Sequence, residues 1–145
     1  MPAMLLAAAL FAFAHGGNPN VSLFGFVNIG LASAWLSFAY LKVRNLWLPF
    51  GLHFGWNFSQ TSIFGFPTSG ISFEERKIMT LTQSGPEWLT GGAFGPEAGA
   101  LATVALVACT WYIVRSKLLV APEGIITLDS LEDLVVPELE GDAQS

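Results

Sequence analysis

The chain has 145 residues, of which 52% are hydrophobic and 12% charged, and its mean hydropathy is +0.55. Soluble proteins carry about 25% charged residues, so this composition indicates an integral membrane protein and excludes an ordinary soluble domain. The net charge of −5 comes from the tail, because residues 121–145 carry seven acidic residues and no basic one. No basic cluster is present, and an acidic tail repels phosphate, which excludes nucleic acid as a partner.

The first apolar segment, Met4 to His15, is too short to cross a bilayer, which takes about 20 residues. A signal peptide is the alternative, but the segment lacks the basic start that such a signal needs. We therefore interpret it as a shortened spanning helix. The turn sequence GGNPN at 16–20 follows directly, which predicts that His15 is the last residue before a chain reversal.

Three later segments are long and apolar enough to span a membrane, and they cover residues 21–41, 46–66 and 98–114. The predicted fold is therefore all-α. It is a polytopic transmembrane bundle of three full spans plus the shortened first helix over residues 1–120. Residues 121–145 are predicted to form an acidic, partly disordered soluble tail. The basic residues after the first and third full spans share one side, which the positive-inside rule makes cytoplasmic.

Several single residues are interpreted structurally. Asn28 and Ser33 are predicted to form hydrogen bonds between helices. Cys109 is interpreted as a small buried apolar residue with no disulfide or metal role. The loop 67–96 is rich in Gly, Pro, Ser and Thr, which predicts re-entrant or interfacial pieces.

A polar stripe runs along the segment 46–66. His53, Asn57 and Gln60 lie at i, i+4 and i+7, within about 60° of one another on a helix. Polar groups at membrane depth are costly and usually functional. Gly51 and Gly55 lie on the opposite face and are predicted to let another helix approach closely.

A second histidine favours chemistry over a purely structural role for His53. Phe11 precedes His15 by four residues, so F-x-x-x-H and H-x-x-x-N occur in that order with one spanning helix between them. His15 is predicted near one membrane face and His53 near the other. A common site for the two histidines requires the first helix to end part-way through the membrane, with GGNPN lining a polar cavity.

The motifs FAFAH at 11–15 and HFGWN at 53–57 resemble those of the CAAX protease and bacteriocin-processing (CPBP, or Abi) intramembrane endopeptidases. The surrounding stretches GGNPN, LWLPFGLHFGWNFSQ, IFGFPTSG and GPEWLTGGAFGPEAG are similar to bacterial members, and the resemblance covers roughly residues 5–110. It implies a multi-pass endopeptidase of the bacterial cytoplasmic membrane. The expected partners are membrane lipid and a lipidated or membrane-tethered protein or peptide substrate.

The resemblance also implies catalytic roles. A glutamate from an E-E-x-x-x-R motif activates water, His15 and His53 position water or polarise the scissile carbonyl, and Asn57 is an oxyanion donor. The chain contains no E-E-x-x-x-R motif. Glu74 and Glu75 follow both histidines and are interpreted as a solvated charge run. We therefore expect the C-terminal part of a longer protease, with little or no turnover by these 145 residues alone.

No cofactor is expected. The older metalloprotease interpretation makes His15 and His53 zinc ligands, but catalytic zinc typically has three protein ligands. Ser69 in PTSG is not expected to be a nucleophile, because the glycine-flanked serine and paired histidine of rhomboid-type proteases are absent. Two other functions stay open: a catalytically dead membrane interaction module of the bacteriocin self-immunity type, and a small transporter subunit with the polar stripe lining its path.

Overall fold

A computed structural model describes residues 2–72 and 77–122. The charge run containing Glu74 and Glu75 lies outside the described residues, as does the acidic tail from residue 123 onward. The helices are α1 (Pro2–His15), α2 (Leu23–Val43), α3 (Trp47–Phe58), α4 (Glu87–Thr90) and α5 (Ala100–Arg115). Residues 2–72 and 77–122 contain no β-strand beyond an isolated bridge between Thr68 and Ile71. The all-α prediction is confirmed for this part of the chain.

The helix α2 lies at the centre of the bundle and packs against α1, α3 and α5. It begins where the Ser22 side chain accepts a hydrogen bond from the Gly25 amide over 3.0 Å. It ends where Arg44 adopts a left-handed conformation with φ of 50°. Among the described helices, α2 alone is long and apolar enough to cross a membrane by length and composition. The three full spans predicted from the sequence therefore stay a prediction.

The helix α3 continues past Phe58 as a π-helical turn, Ser59–Phe64. This turn was not predicted, because the polar stripe was placed on a uniform α-helix. A π-helix has more residues per turn than an α-helix. The side chains beyond Phe58 therefore do not lie on the helix face that a period of 3.6 residues predicts.

Two apolar clusters hold the bundle together, and both use α2. One contains Ala12, Ile29, Phe94 and Ala98, and the other contains Trp35, Ala39, Leu106 and Ile113. At the second cluster's end, Lys42 Nζ donates a hydrogen bond to the Val114 carbonyl over 3.1 Å. The basic ends of α2 and α5 thus lie together, as the sequence predicted.

The outer face of α5 is apolar and uncovered. Leu101, Val104 and Val107 are each more than half exposed, which suits contact with lipid and is unusual for a soluble surface. Cys109 is also exposed on this helix. The prediction that it is buried was wrong, since apolar periodicity does not distinguish a core-facing from a lipid-facing position.

The prediction of close helix packing at Gly51 and Gly55 was also wrong for the described residues. A Cβ added at either glycine meets nothing within 4 Å. The two glycines instead border an open, mainly apolar groove shared with Trp35 and Trp56.

The turn that follows α1 packs against the turn after the π-helical segment. Asn18 Nδ2 donates a hydrogen bond to the Ser69 carbonyl over 2.9 Å. Gly70 has φ of 81°, and a Cβ there would collide with the Pro19 carbonyl oxygen. Only glycine permits both the backbone conformation and the close approach. The turn 16–20 and the turn 67–71 therefore lie against each other, just beyond His15.

Candidate active site

A small cavity lies between α1, α2, α3 and the segment that precedes α5. Its polar lining consists of His15, Asn28, His53, Ser69 and Glu97, and its apolar lining consists of Phe11, Ile29, Ala32, Trp35, Leu36, Trp56 and Leu106. The space open to the centre of a water molecule is about 20 Å³. A single ordered water needs about 10–15 Å³, so the cavity has room for one.

The Phe11 ring lies against both histidines. Its centroid is 4.5 Å from that of His15 and 5.7 Å from that of His53, the latter in an edge-to-face arrangement. Phe11 and His15 share a face of α1 because they are four residues apart. The structure therefore brings the two histidines to one cavity, although the sequence predicted them near opposite membrane faces.

A hydrogen bond to the backbone determines the tautomer of His15. Its Nδ1 lies 2.7 Å from the Phe11 carbonyl oxygen. A carbonyl oxygen only accepts, so Nδ1 carries the proton. In the neutral ring Nε2 is then an acceptor, and it can take a hydrogen bond from a water or from another donor.

Asn57 does not line this cavity. It lies in a second, open groove that His53 also lines, together with Phe50, Phe54, Phe58 and Thr61. Its Oδ1 is buried and has no hydrogen-bond partner among the described residues. His53 borders both spaces, so the predicted pair His53 and Asn57 shares the groove, while the pair His15 and His53 shares the cavity.

Glu97 is a site residue that the sequence analysis missed. Its carboxylate enters the cavity from the 3₁₀ turn Pro96–Ala98 and is only 8% exposed. Oε1 accepts hydrogen bonds from Trp56 Nε1 (3.0 Å) and Gln60 Nε2 (3.2 Å). Oε2 accepts from the Ser69 amide (2.7 Å) and the Ser69 hydroxyl (2.6 Å).

One signal for Glu97 was present in the sequence. It is the only acidic residue that directly adjoins a predicted span, since the segment 98–114 begins one residue later. Burial of a carboxylate there requires several donors, and these come from residues 28 to 41 positions away in the chain. The long sequence separations hid this arrangement.

The backbone of Glu97 is held by Asn28. Asn28 Nδ2 donates to the Glu97 and Gly99 carbonyls over 2.8 and 3.1 Å, and Asn28 Oδ1 accepts from the Thr103 hydroxyl over 2.8 Å. The prediction that Asn28 forms hydrogen bonds between helices is thus confirmed. Through Asn28, helix α2 holds the backbone of Glu97 in place.

Comparison with known proteins adds one match. Residues 1–59 match the family model described as type II CAAX prenyl endopeptidase Rce1-like. This match confirms the resemblance to the CPBP proteases that the two motifs indicated. Neither a curated protein nor a solved structure matches the chain.

The Rce1-like match contains His15, His53 and Asn57, and ends at the first residue of the π-helical turn. Ser69 and Glu97 lie beyond it. The cavity is thus completed by residues from outside the segment that matches the family model.

The residues present do not fit a zinc ion. Among residues 2–72 and 77–122, no group of three or more His, Cys, Asp or Glu side chains is placed to hold a metal. His15 Nδ1 is occupied by the Phe11 carbonyl, and all four hydrogen bonds of the Glu97 carboxylate come from protein donors. We derive no step through a metal.

Proposed function

We propose that this protein is an intramembrane endopeptidase that hydrolyses a peptide bond near the membrane. The observation that carries the proposal is the pair of histidines beside a cavity for one water, in a segment that matches the Rce1-like endopeptidases. The expected substrate is a lipidated or membrane-tethered protein or peptide.

In the proposed reaction the oxygen of a water bonds to the scissile carbonyl carbon. A glutamate general base takes a proton from the water and passes it to the leaving amine as the C–N bond breaks. The resemblance assigns this glutamate to an E-E-x-x-x-R motif, which the 145 residues do not contain.

The histidines and Asn57 have separate roles in this proposal. His15 accepts a hydrogen bond from the water at Nε2, since Nδ1 is bonded to the backbone. His53 borders both the water cavity and the groove of Asn57, which suits a group that meets the carbonyl where the two spaces adjoin. The Asn57 amide donates to the oxyanion, and a preorganised donor of this kind contributes about 10²-fold to 10³-fold in rate.

Peptide cleavage in detergent tests the proposal. The 145-residue chain is compared with a longer form that carries an E-E-x-x-x-R helix before Met1, and each is assayed with a membrane-tethered peptide. We expect little or no turnover by the first and clear cleavage by the second. Robust cleavage by the 145 residues alone contradicts the assignment of the base to that motif.

Two variants of the longer form with the E-E-x-x-x-R helix, called the cleaving form below, test the roles of His53 and Asn57. His53→Ala and the isosteric Asn57→Asp, which removes the amide donor, are each expected to lower kcat by about 10²-fold. Cys109→Ala, on the exposed face of α5, is the control and should cleave normally. Unchanged cleavage by both site variants rejects the assigned roles. Absence of cleavage from every form favours the interaction module, which retains the pocket without the reaction.

A further inference from the structure

The Ser69 hydroxyl is held in one orientation by Glu97. Its single proton is donated to Glu97 Oε2 over 2.6 Å, and the amide of the same residue donates to the same oxygen. The backbone of Ser69 is left-handed, with φ of 48°, a conformation that non-glycine residues seldom adopt. Because the proton is committed, Ser69 Oγ can offer only its lone pairs to the cavity that it lines.

The Glu97 carboxylate itself has no free lone pair for a water. A carboxylate accepts about four hydrogen bonds in its plane, and four protein donors already occupy it. Taking a proton from water would cost at least one of these bonds. The arrangement therefore suits a carboxylate that orients its neighbours and does not suit a general base.

Two residues with an acceptor atom available then line one small space. His15 Nε2 is an acceptor because Nδ1 donates to Phe11, and Ser69 Oγ is an acceptor because its proton goes to Glu97. Both residues line a cavity with room for one water, and a buried water typically makes two to four hydrogen bonds. A water has two hydrogens, which matches the two acceptors at rest and leaves its lone pairs free. During hydrolysis the glutamate base of the longer form takes the hydrogen that is bonded to His15 at rest, and Ser69 keeps the other.

We propose that Ser69 is a further catalytic residue that accepts a hydrogen bond from the hydrolytic water, and that Glu97 is the positioning residue that orients the Ser69 hydroxyl. The inference rests on the proposed endopeptidase function and adds two residues beyond the matched segment. Ser69 is thereby an anchor for water and forms no covalent bond to the substrate.

A structural experiment tests this inference without requiring cleavage. Crystals of the 145-residue chain in a lipid mesophase, at a resolution that reveals waters, should show one water within about 3.2 Å of both Ser69 Oγ and His15 Nε2. Ser69→Gly removes the hydroxyl and suits the left-handed backbone, so this water should be lost. Asn20→Gly is the matched control, since Asn20 is exposed with φ of 59°, and it should keep the water. A cavity without the water, or a water unchanged in Ser69→Gly, overturns the proposal.

Kinetics of the cleaving form provide a second test. Ser69→Gly and Glu97→Gln should each lower kcat by about 10-fold to 100-fold with little change in KM, as expected when a reacting group is misplaced. The double variant should lose no more than the stronger single variant, because both act through one hydroxyl. Losses that multiply show that the two residues act independently, which contradicts the proposal.

A serine-directed fluorophosphonate distinguishes the remaining alternative. Covalent labelling of Ser69 by this probe indicates a nucleophile and overturns the assignment as a water anchor. Absence of labelling, together with the water seen in the crystals, supports it. If no form cleaves peptide but the water is bound as described, the proposed function fails while the binding geometry of Ser69 stands.

Discussion

The Phe11 carbonyl oxygen and His15 Nδ1 lie 2.7 Å apart, because the two residues follow each other by one turn of α1. The F-x-x-x-H spacing thus supplies more than an aromatic neighbour for the histidine. Nδ1 is bonded to the backbone of the same helix, so Nε2 is the ring nitrogen that stays available as an acceptor.

The acceptor role of His15 can be tested with a substitution that keeps an aromatic ring but has no nitrogen. His15→Phe retains aromatic volume beside Phe11 and removes Nε2. We expect the rate of peptide cleavage by the cleaving form to fall by about 10²-fold or more, in the range that a positioned proton-transfer group contributes. The free energy of unfolding in detergent should change little, because His15 is only partly buried. Normal cleavage by this variant contradicts the role of Nε2.

Asn28 is expected to be a major contributor to stability. It is 1% exposed, and Asn28→Ala leaves two carbonyl groups and the Thr103 hydroxyl without their partner. An unsatisfied buried group costs about 1–3 kcal/mol, so we expect a loss of about 2 kcal/mol or more in chemical unfolding. Thr110→Ala is the control, since its hydroxyl bonds only the Leu106 carbonyl of its own helix. Equal effects from the two substitutions would show that the contacts between helices contribute no more than a local bond.

Gly70→Ala should separate the two turns beyond His15. The added Cβ meets the Pro19 carbonyl oxygen, and the backbone has φ of 81°. Strain of this kind costs about 1–3 kcal/mol, which thermal unfolding can detect. Gly17→Ala, where an added Cβ meets nothing within 4 Å, is the matched control and should be nearly neutral. A neutral Gly70→Ala would show that the turns are not in contact.

The open face of α3 predicts an opposite result for glycine. Gly51→Ala and Gly55→Ala add a methyl group into open space and remove a poor helix former, so each should stabilise the protein by up to about 1 kcal/mol. Gly25→Ala is the contrast, because its Cβ would lie 3.1 Å from the Ala98 Cβ. Destabilisation by Gly51→Ala would restore the sequence-based expectation that another helix packs on this face.

The helices were predictable because apolar length is a local property. The segment predicted at 21–41 is the helix Leu23–Val43, and the segment predicted at 98–114 is the helix Ala100–Arg115. His15 ends the first helix as the GGNPN turn requires. Spacing within one helix also placed Phe11 beside His15 correctly.

The rest of the site depends on contacts between distant parts of the chain. No periodicity links Glu97 to Trp56, Gln60 and Ser69, because these residues meet only after the loop folds back over the end of α1. The three residues of the polar stripe do not share one site, for a related reason. Asn57 lies on the open groove, whereas Gln60, inside the π-helical turn, donates to Glu97.

His53 lines two spaces, a small one with room for a single water and an open groove beside the stacked rings of Phe50, Phe54 and Phe58. In the proposed protease the peptide occupies the groove and the water occupies the small space, so His53 contacts both reactants. A space with room for one water holds no reserve beside the scissile bond. Hydrolysis therefore uses up the resident water, and each new cycle requires its replacement.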